Sequence, residues 1–161
     1  MLNNPNLNAS INIKIDKIDK FEYLQDFFSK IHLGDGRILI KNFNTQWNDS
    51  VLINSNEIEF LNGIDGKKLV GEISFNFEDI EKFFRYFQIK RNYRDVFETI
   101  KLDFVYDLTL DKLTMNNLRI DNESIKKIDK FLNQYNKSKN NSFNKVTIRN
   151  FIKDFFQVYA G

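Results

Sequence analysis

Between positions 100 and 110 the chain keeps one phase: Ile100, Leu102, Phe104, Tyr106, Leu108 and Leu110 fall on one side of an extended strand. Lys101, Asp103, Asp107, Thr109 and Asp111 fall on the other, with Val105 the one exception. Side chains of a strand point alternately to opposite faces, so this pattern demands a sheet that is apolar on one surface and wet on the other. At about 3.3 Å per residue the strand would span roughly 35 Å, long for a small domain. The same period recurs at Ile11, Ile13, Ile15 and at Leu69, Ile73, Phe75, Phe77. Each of these two runs leads into one tetrad, Ile18-Asp19-Lys20-Phe21 or Ile80-Glu81-Lys82-Phe83, and the tetrad returns as Ile128-Asp129-Lys130-Phe131. The expected unit is a strand feeding a short amphipathic helix. Tyr23-Leu24-Gln25-Asp26-Phe27-Phe28 and its echo Phe151-Ile152-Lys153-Asp154-Phe155-Phe156 read as a further repeat of it.

Along the chain, Ile18, Phe21, Leu24, Phe28 and Ile31 stand at helical spacing, which predicts a helix over 18 to 31 ended by Gly34-Asp35-Gly36. Strands are expected at 11 to 16, 37 to 43, 50 to 61, 67 to 77 and 100 to 110, with a return from Asp111-Lys112 to Ile120. Asn62-Gly63-Ile64-Asp65-Gly66 reads as a turn, because Asn, Asp and Gly accept positive φ at little cost. Asp79 is placed to cap a helix carrying Ile80, Phe83, Phe84 and Phe87. A helix near 124 to 135, an exposed loop over 136 to 144, a short strand at Val146 and Ile148, and a helix over 150 to 158 complete the reading. The predicted fold is α+β in a single domain over 1 to 161. It is a mainly antiparallel, twisted sheet whose apolar face is partly covered by short helices, with room for an open groove.

Charge narrows the function classes. With 24 basic and 22 acidic residues, no long-range field draws in nucleic acid, and none is expected as a partner. The chain has no Cys, so disulfides and thiolate chemistry are out. No apolar run approaches the roughly 20 residues of a membrane span, and the start has no signal-peptide pattern. Glycine-rich phosphate loops, nucleophile elbows and metal-ligand spacings are lacking.

Asp103, Asp107 and Asp111 form a carboxylate row able in principle to hold a cation or supply an acid and a base, and His32 is the one imidazole. The simpler reading is a solvated strand face and a surface or packing His. Arg85, Tyr86, Lys90, Arg91, Tyr93 and Arg94 interleave cations with aromatics as single-strand nucleic-acid platforms do, but they equally suit the cationic end of a helix. No catalytic residue, metal or cofactor is expected, and the chain reads as a non-enzyme. Ile73, Phe75, Phe77, Leu102, Phe104, Tyr106 and Leu108 are the candidate lining of a groove for acyl chains, or simply core.

One order of segments carries a resemblance. It runs Leu69-Val70-Gly71-Glu72-Ile73-Ser74-Phe75-Asn76-Phe77, a Phe-rich helix, Tyr93-Arg94, Ile100-Lys101-Leu102-Asp103-Phe104-Val105-Tyr106-Asp107-Leu108 and Leu118-Arg119-Ile120-Asp121-Asn122. It ends with Asn144-Lys145-Val146-Thr147-Ile148-Arg149-Asn150-Phe151 and Tyr159-Ala160-Gly161. Over about residues 36 to 161 this resembles the C-terminal region of alphaproteobacterial AsmA-like envelope proteins. The resemblance implies a periplasmic C-terminal segment of a longer, inner-membrane-anchored, β-rich protein that helps lipids move between membranes. Its implied partners are phospholipid, the rest of its own chain and other envelope proteins, with membrane association only through a segment absent here. The alternative is an interaction or scaffold domain that pairs through an exposed strand edge.

Overall fold

Among the described residues eight strands join in sequence order, each antiparallel to the next, into one open sheet. The computed structural model describes residues 8 to 17, 23 to 64, 66 to 138 and 144 to 161. The strands are β1 Ala9–Lys17, β2 Leu24–Gly34, β3 Arg37–Trp47, β4 Val51–Gly63, β5 Gly66–Phe77, β6 Thr99–Asp107, β7 Lys112–Ile120 and β8 Glu123–Ser124. Helices α1 Ile80–Phe87, α2 Lys126–Lys137 and α3 Lys145–Ala160 follow β5 and β8. The α+β, mainly antiparallel architecture is thus the one expected.

The strands are long, and a band of bulges crosses them. β2 slips register against β3 between Gln25 and Lys30, β4 against β5 between Asn54 and Ile58, and β7 against β6 between Asn116 and Arg119. Asp26, Asn42 and Asn117 sit in the band with φ near +50°, a region that Asn and Asp tolerate best among residues bearing a Cβ. A bulge adds a residue, so it moves the apolar phase by one and bends the strand. The inward series therefore reads Ile38, Ile40 and then Phe43, Thr45, Trp47 on β3, and Val51, Ile53 and then Ile58, Phe60 on β4.

Each bulge frees backbone groups from the ladder, and small hydroxyl side chains take some of them up. Buried Thr45 donates to the Gln25 carbonyl at 2.9 Å, and buried Ser55 donates to the Glu72 carbonyl at 2.6 Å. Gly71 belongs to the same device. A Cβ there would lie 2.9 Å from the Glu57 carbonyl oxygen and 3.1 Å from the Ile58 side chain, so the β4 bulge and β5 approach only because position 71 has none.

Helix α1 begins where the sequence places it. The Asp79 carboxylate accepts from the Lys82 amide at 2.8 Å, and the Ser50 carbonyl accepts from the amides of Glu78 and Asp79, which ties the helix to the β3–β4 turn. Asn144 caps α3 by accepting from the Val146 and Thr147 amides, with Thr147 reaching back to the Asn144 amide. Phe84, Phe87, Ile128, Leu132, Phe155 and Phe156 from the three helices bury themselves against Ile100, Leu102, Met115, Leu118 and Ile120 of β6 and β7. Phe84 and Ile128 are fully buried, so the core sits at this end of the sheet.

Four expectations need correction. Residues 24 to 31 belong to strand β2, not a helix, and 18 to 22, with the first tetrad, lie outside the described residues. The echo pairing Tyr23-Leu24 onward with Phe151-Ile152 onward joins a strand to a helix, so it is no structural repeat. Val146 and Ile148 open α3 rather than forming a strand. Of the expected loop over 136 to 144, Asn136 and Lys137 finish α2, Asn144 caps α3, and 139 to 143 lie outside the described residues.

Candidate functional site

The strand pairings put one row of side chains after another on the face that the helices approach, and they show how far the helices reach along it. On β5 to β7 this face carries Ile73, Phe75, Phe77, Leu102, Phe104, Leu113 and Met115, all buried in the helix-covered core or packed against it. Helix α2 packs on β7 and α3, and α3 packs on α1. Trp47 at the end of β3 is the far reach of the cover, held edge-on between the rings of Phe83 and Tyr86 and stacked on Phe87.

Beyond that point the face continues without a helix. Ala9, Ile11, Ile13 and Ile15 of β1 pair with Leu33, Ile31, Ser29 and Phe27 of β2. Leu33 and Ile31 pair in turn with Ile38 and Ile40 of β3, these with Phe60 and Ile58 of β4, and these with Leu69 and Gly71 of β5. Ile31, Leu33, Ile38, Ile40, Phe60 and Leu69 are half-buried and Ile58 among them is buried, and among the described residues none of the seven packs against the helical cluster. At the rim Ile11 is 50% and Ile15 38% exposed. Among the described residues no helix covers this apolar stretch of β1 to β4, whose side chains keep some exposure except at the buried Ile58 and Ser29.

The seven groove candidates therefore divide. Leu102 is buried and Ile73, Phe75, Phe77 and Phe104 pack beneath the helices, so these five are core. Tyr106 stands near the end of β6 and donates its hydroxyl hydrogen bond to Asp111 at 2.7 Å. Leu108 lies in the turn after β6, which ends at Asp107 rather than 110, and it is exposed. Ile11, Ile13 and Ile15 of β1 show in the sequence as an alternating run, whereas the open residues of β2 to β4 are not among the groove candidates because bulges interrupt their alternation. The phase slip at Asn42, between Ile40 and Phe43, was the available signal.

The polar candidates resolve into structural roles. Asp107 is buried and accepts from the amides of Thr109 and Leu110, closing the β6–β7 turn, while Asp103 accepts from the Asn117 side chain beside the bulge. Among the described residues no three His, Cys, Asp or Glu side chains come together as a metal site. His32 lies on the opposite, polar face, its Nδ1 3.3 Å from the Ser10 hydroxyl. In the basic cluster Arg94 bonds the Ile89 carbonyl and Glu81 and lies over the Phe84 ring, and Tyr86 packs on Tyr23 and Trp47. Burial, with the neighbouring Tyr23, holds the Tyr86 hydroxyl above its ordinary pKa.

Two shallow depressions also mark the surface. One is lined by Phe97, Thr99 and Asp121 and the other by Met115, Asn117 and Asp129, and neither lies on the open apolar stretch. Asp121 is already engaged with the amides of Glu98 and Thr99. No helix among the described residues is long and apolar enough to cross a membrane. Compared with protein-family models, with curated proteins and with solved structures, the chain matches none.

Proposed function

We propose that this chain is a non-enzymatic lipid-handling module of AsmA-like type, working in the periplasm, whose open sheet face over β1 to β4 receives the acyl chains of a phospholipid. The observation that carries the reading is the uncovered row Ile31, Leu33, Ile38, Ile40, Phe60 and Leu69. A contiguous apolar surface rimmed by polar strand edges is what an acyl chain needs, and each methylene it buries is worth about 0.8 kcal/mol. Apart from the buried Ser29, the aliphatic and Phe side chains along it offer no hydrogen-bonding group, which suits a hydrocarbon and leaves the headgroup in water. In the longer chain that the resemblance implies, this surface would form one stretch of a continuous lipid path.

The test is lipid extraction from the purified protein, followed by mass spectrometry. Phospholipid should accompany the wild-type chain and be lost from the double variant Ile31→Asp, Ile40→Asp, whose helix-covered core is untouched. Lys41→Asp, on the polar face, should retain it. A folded wild-type protein without lipid, or lipid retained equally by all three, would contradict the proposal.

A further inference from the structure

The two edges of the sheet are finished very differently. At the β7 edge, β8 pairs with Arg119 and Ile120 alone, and beyond it the Asn136 side chain of α2 fills the ladder, accepting from the Met115 amide at 3.0 Å and donating to the Met115 carbonyl at 2.7 Å. That edge is closed. At the other edge β1 runs for nine residues with no Pro, no Gly and no bulge against β2, and among the described residues nothing pairs with its outer side. Natural sheets blunt an exposed edge with a short strand, a Pro, a bulge, charged side chains or a cover; β1 carries the charges Lys14, Asp16 and Lys17 but is neither short, bulged nor interrupted by Pro, and among the described residues nothing covers it.

We infer that β1 pairs with β1 of a second copy of this chain, antiparallel about a twofold axis through Ile13. The strand is a palindrome in polarity about that residue, Ile11-Asn12-Ile13-Lys14-Ile15. In this register Ile13 faces the partner's Ile13, and Ile11 and Ile15 face the partner's Ile15 and the partner's Ile11. Three isoleucine pairs thus cover the apolar rim, where Ile11 and Ile15 are now exposed. On the polar face Asn12 meets the partner's Lys14 and Ser10 meets the partner's Asp16, so no like charges stand directly opposite. The two Lys14 side chains approach only diagonally, and each has its own Asp16 within 4.0 Å.

Shifting the axis to Ile15 would set Ile13 against the partner's Lys17, which disfavours that register. Paired residues share a face, so the open apolar surfaces of the two copies would join into one platform across a sixteen-stranded sheet, with a helical mass at each end. The pairing rests on the strand edge, and lipid binding is not required for it.

Sedimentation velocity of the wild-type chain at about 100 μM is expected to show twice the 19.2 kDa chain mass. Asn12 is exposed, so its variants should fold as the wild type does. Asn12→Lys, which opposes the partner's Lys14, should weaken the dimer several-fold to about tenfold, and Asn12→Glu should strengthen it by a similar factor. Ile13→Lys and Ile13→Glu should each be monomeric alone and should form a heterodimer when mixed, because position 13 faces itself across the axis. A wild-type chain that stays monomeric, a dimer indifferent to all four substitutions, or Ile13 variants that fail to recombine would overturn the inference.

Discussion

The two halves of one sheet face make an instructive pair. Over β5 to β7 the inward side chains lie beneath three helices, with Phe84, Phe156 and Ile128 sealed from solvent. Over β1 to β4, beyond Trp47 and Val51, the same kind of residue, in an alternation broken by bulges, has no helix above it. Alternation therefore specifies which side of a strand is apolar, while the docking of helices decides whether that side is core or surface. Among the described residues the helices all follow β5 in the chain, and α2 is anchored to the β7 edge through Asn136, so the cover stays near the C-terminal strands.

The largest contrast expected between the halves is in stability. Phe84→Ala or Phe156→Ala should cost about 3 to 5 kcal/mol, because a fully buried ring leaves a cavity. Ile40→Ala in the open half should cost about 1 kcal/mol or less, because solvent already reaches the side chain. Urea unfolding of the three variants measures this, and equal losses would break the comparison. The boundary between the halves can be tested at the bulge band. Gly71→Ala should cost about 1 to 3 kcal/mol, since its Cβ meets backbone that cannot step aside.

Smaller effects refine the same boundary. Ser55→Ala should lose about 1 to 2 kcal/mol by orphaning the Glu72 carbonyl at the β4 bulge. Ser29→Ala should be close to neutral or stabilising, since the buried Ser29 hydroxyl has no hydrogen-bond partner to lose. Thermal melts of the two variants side by side would reveal the sign. The smallest effect belongs to alkaline pH. Burial raises the Tyr135 and Tyr159 hydroxyls above the ordinary value near 10, and the hydrogen bond to Asp111 does the same for Tyr106. A raised pKa in the folded state means these groups contribute stability in full below about pH 10 and lose it as pH climbs through the folded values. The urea midpoint should fall above that point, and less steeply in Tyr135→Phe.

Much of the fold was legible because polarity alternates strictly where strands are regular, as from Ile100 to Phe104. Helix α1 was legible because Asp79 and the Ile80, Phe83, Phe84, Phe87 stripe agree. Strand β2 was not, and the reason is geometric. The stripe Leu24, Phe28, Ile31 that suggests a helix takes residues from both faces of the strand, because the bulge at Asp26 shifts the phase: Leu24 and Ile31 point inward, whereas Phe28 pairs with Lys14 and Asn44 on the other face. The start of α3 was hidden because Val146 and Ile148 suit a strand, while the decisive signal is the reciprocal cap between Asn144 and Thr147. The five groove candidates that became core were placed correctly on the apolar face. What polarity alone did not contain was the position of the cover.

The central claim is that the β1 to β4 half of the face is open to an apolar ligand, and site-specific photocrosslinking tests it most directly. With a crosslinker at Ile40 on the open half, at Lys41 on the reverse face and at Ile100 under the helices, phospholipid should be captured strongly at Ile40 and little at the other two. Equal capture at Ile40 and Lys41, or none at Ile40 in a folded sample supplied with phospholipid, would contradict it.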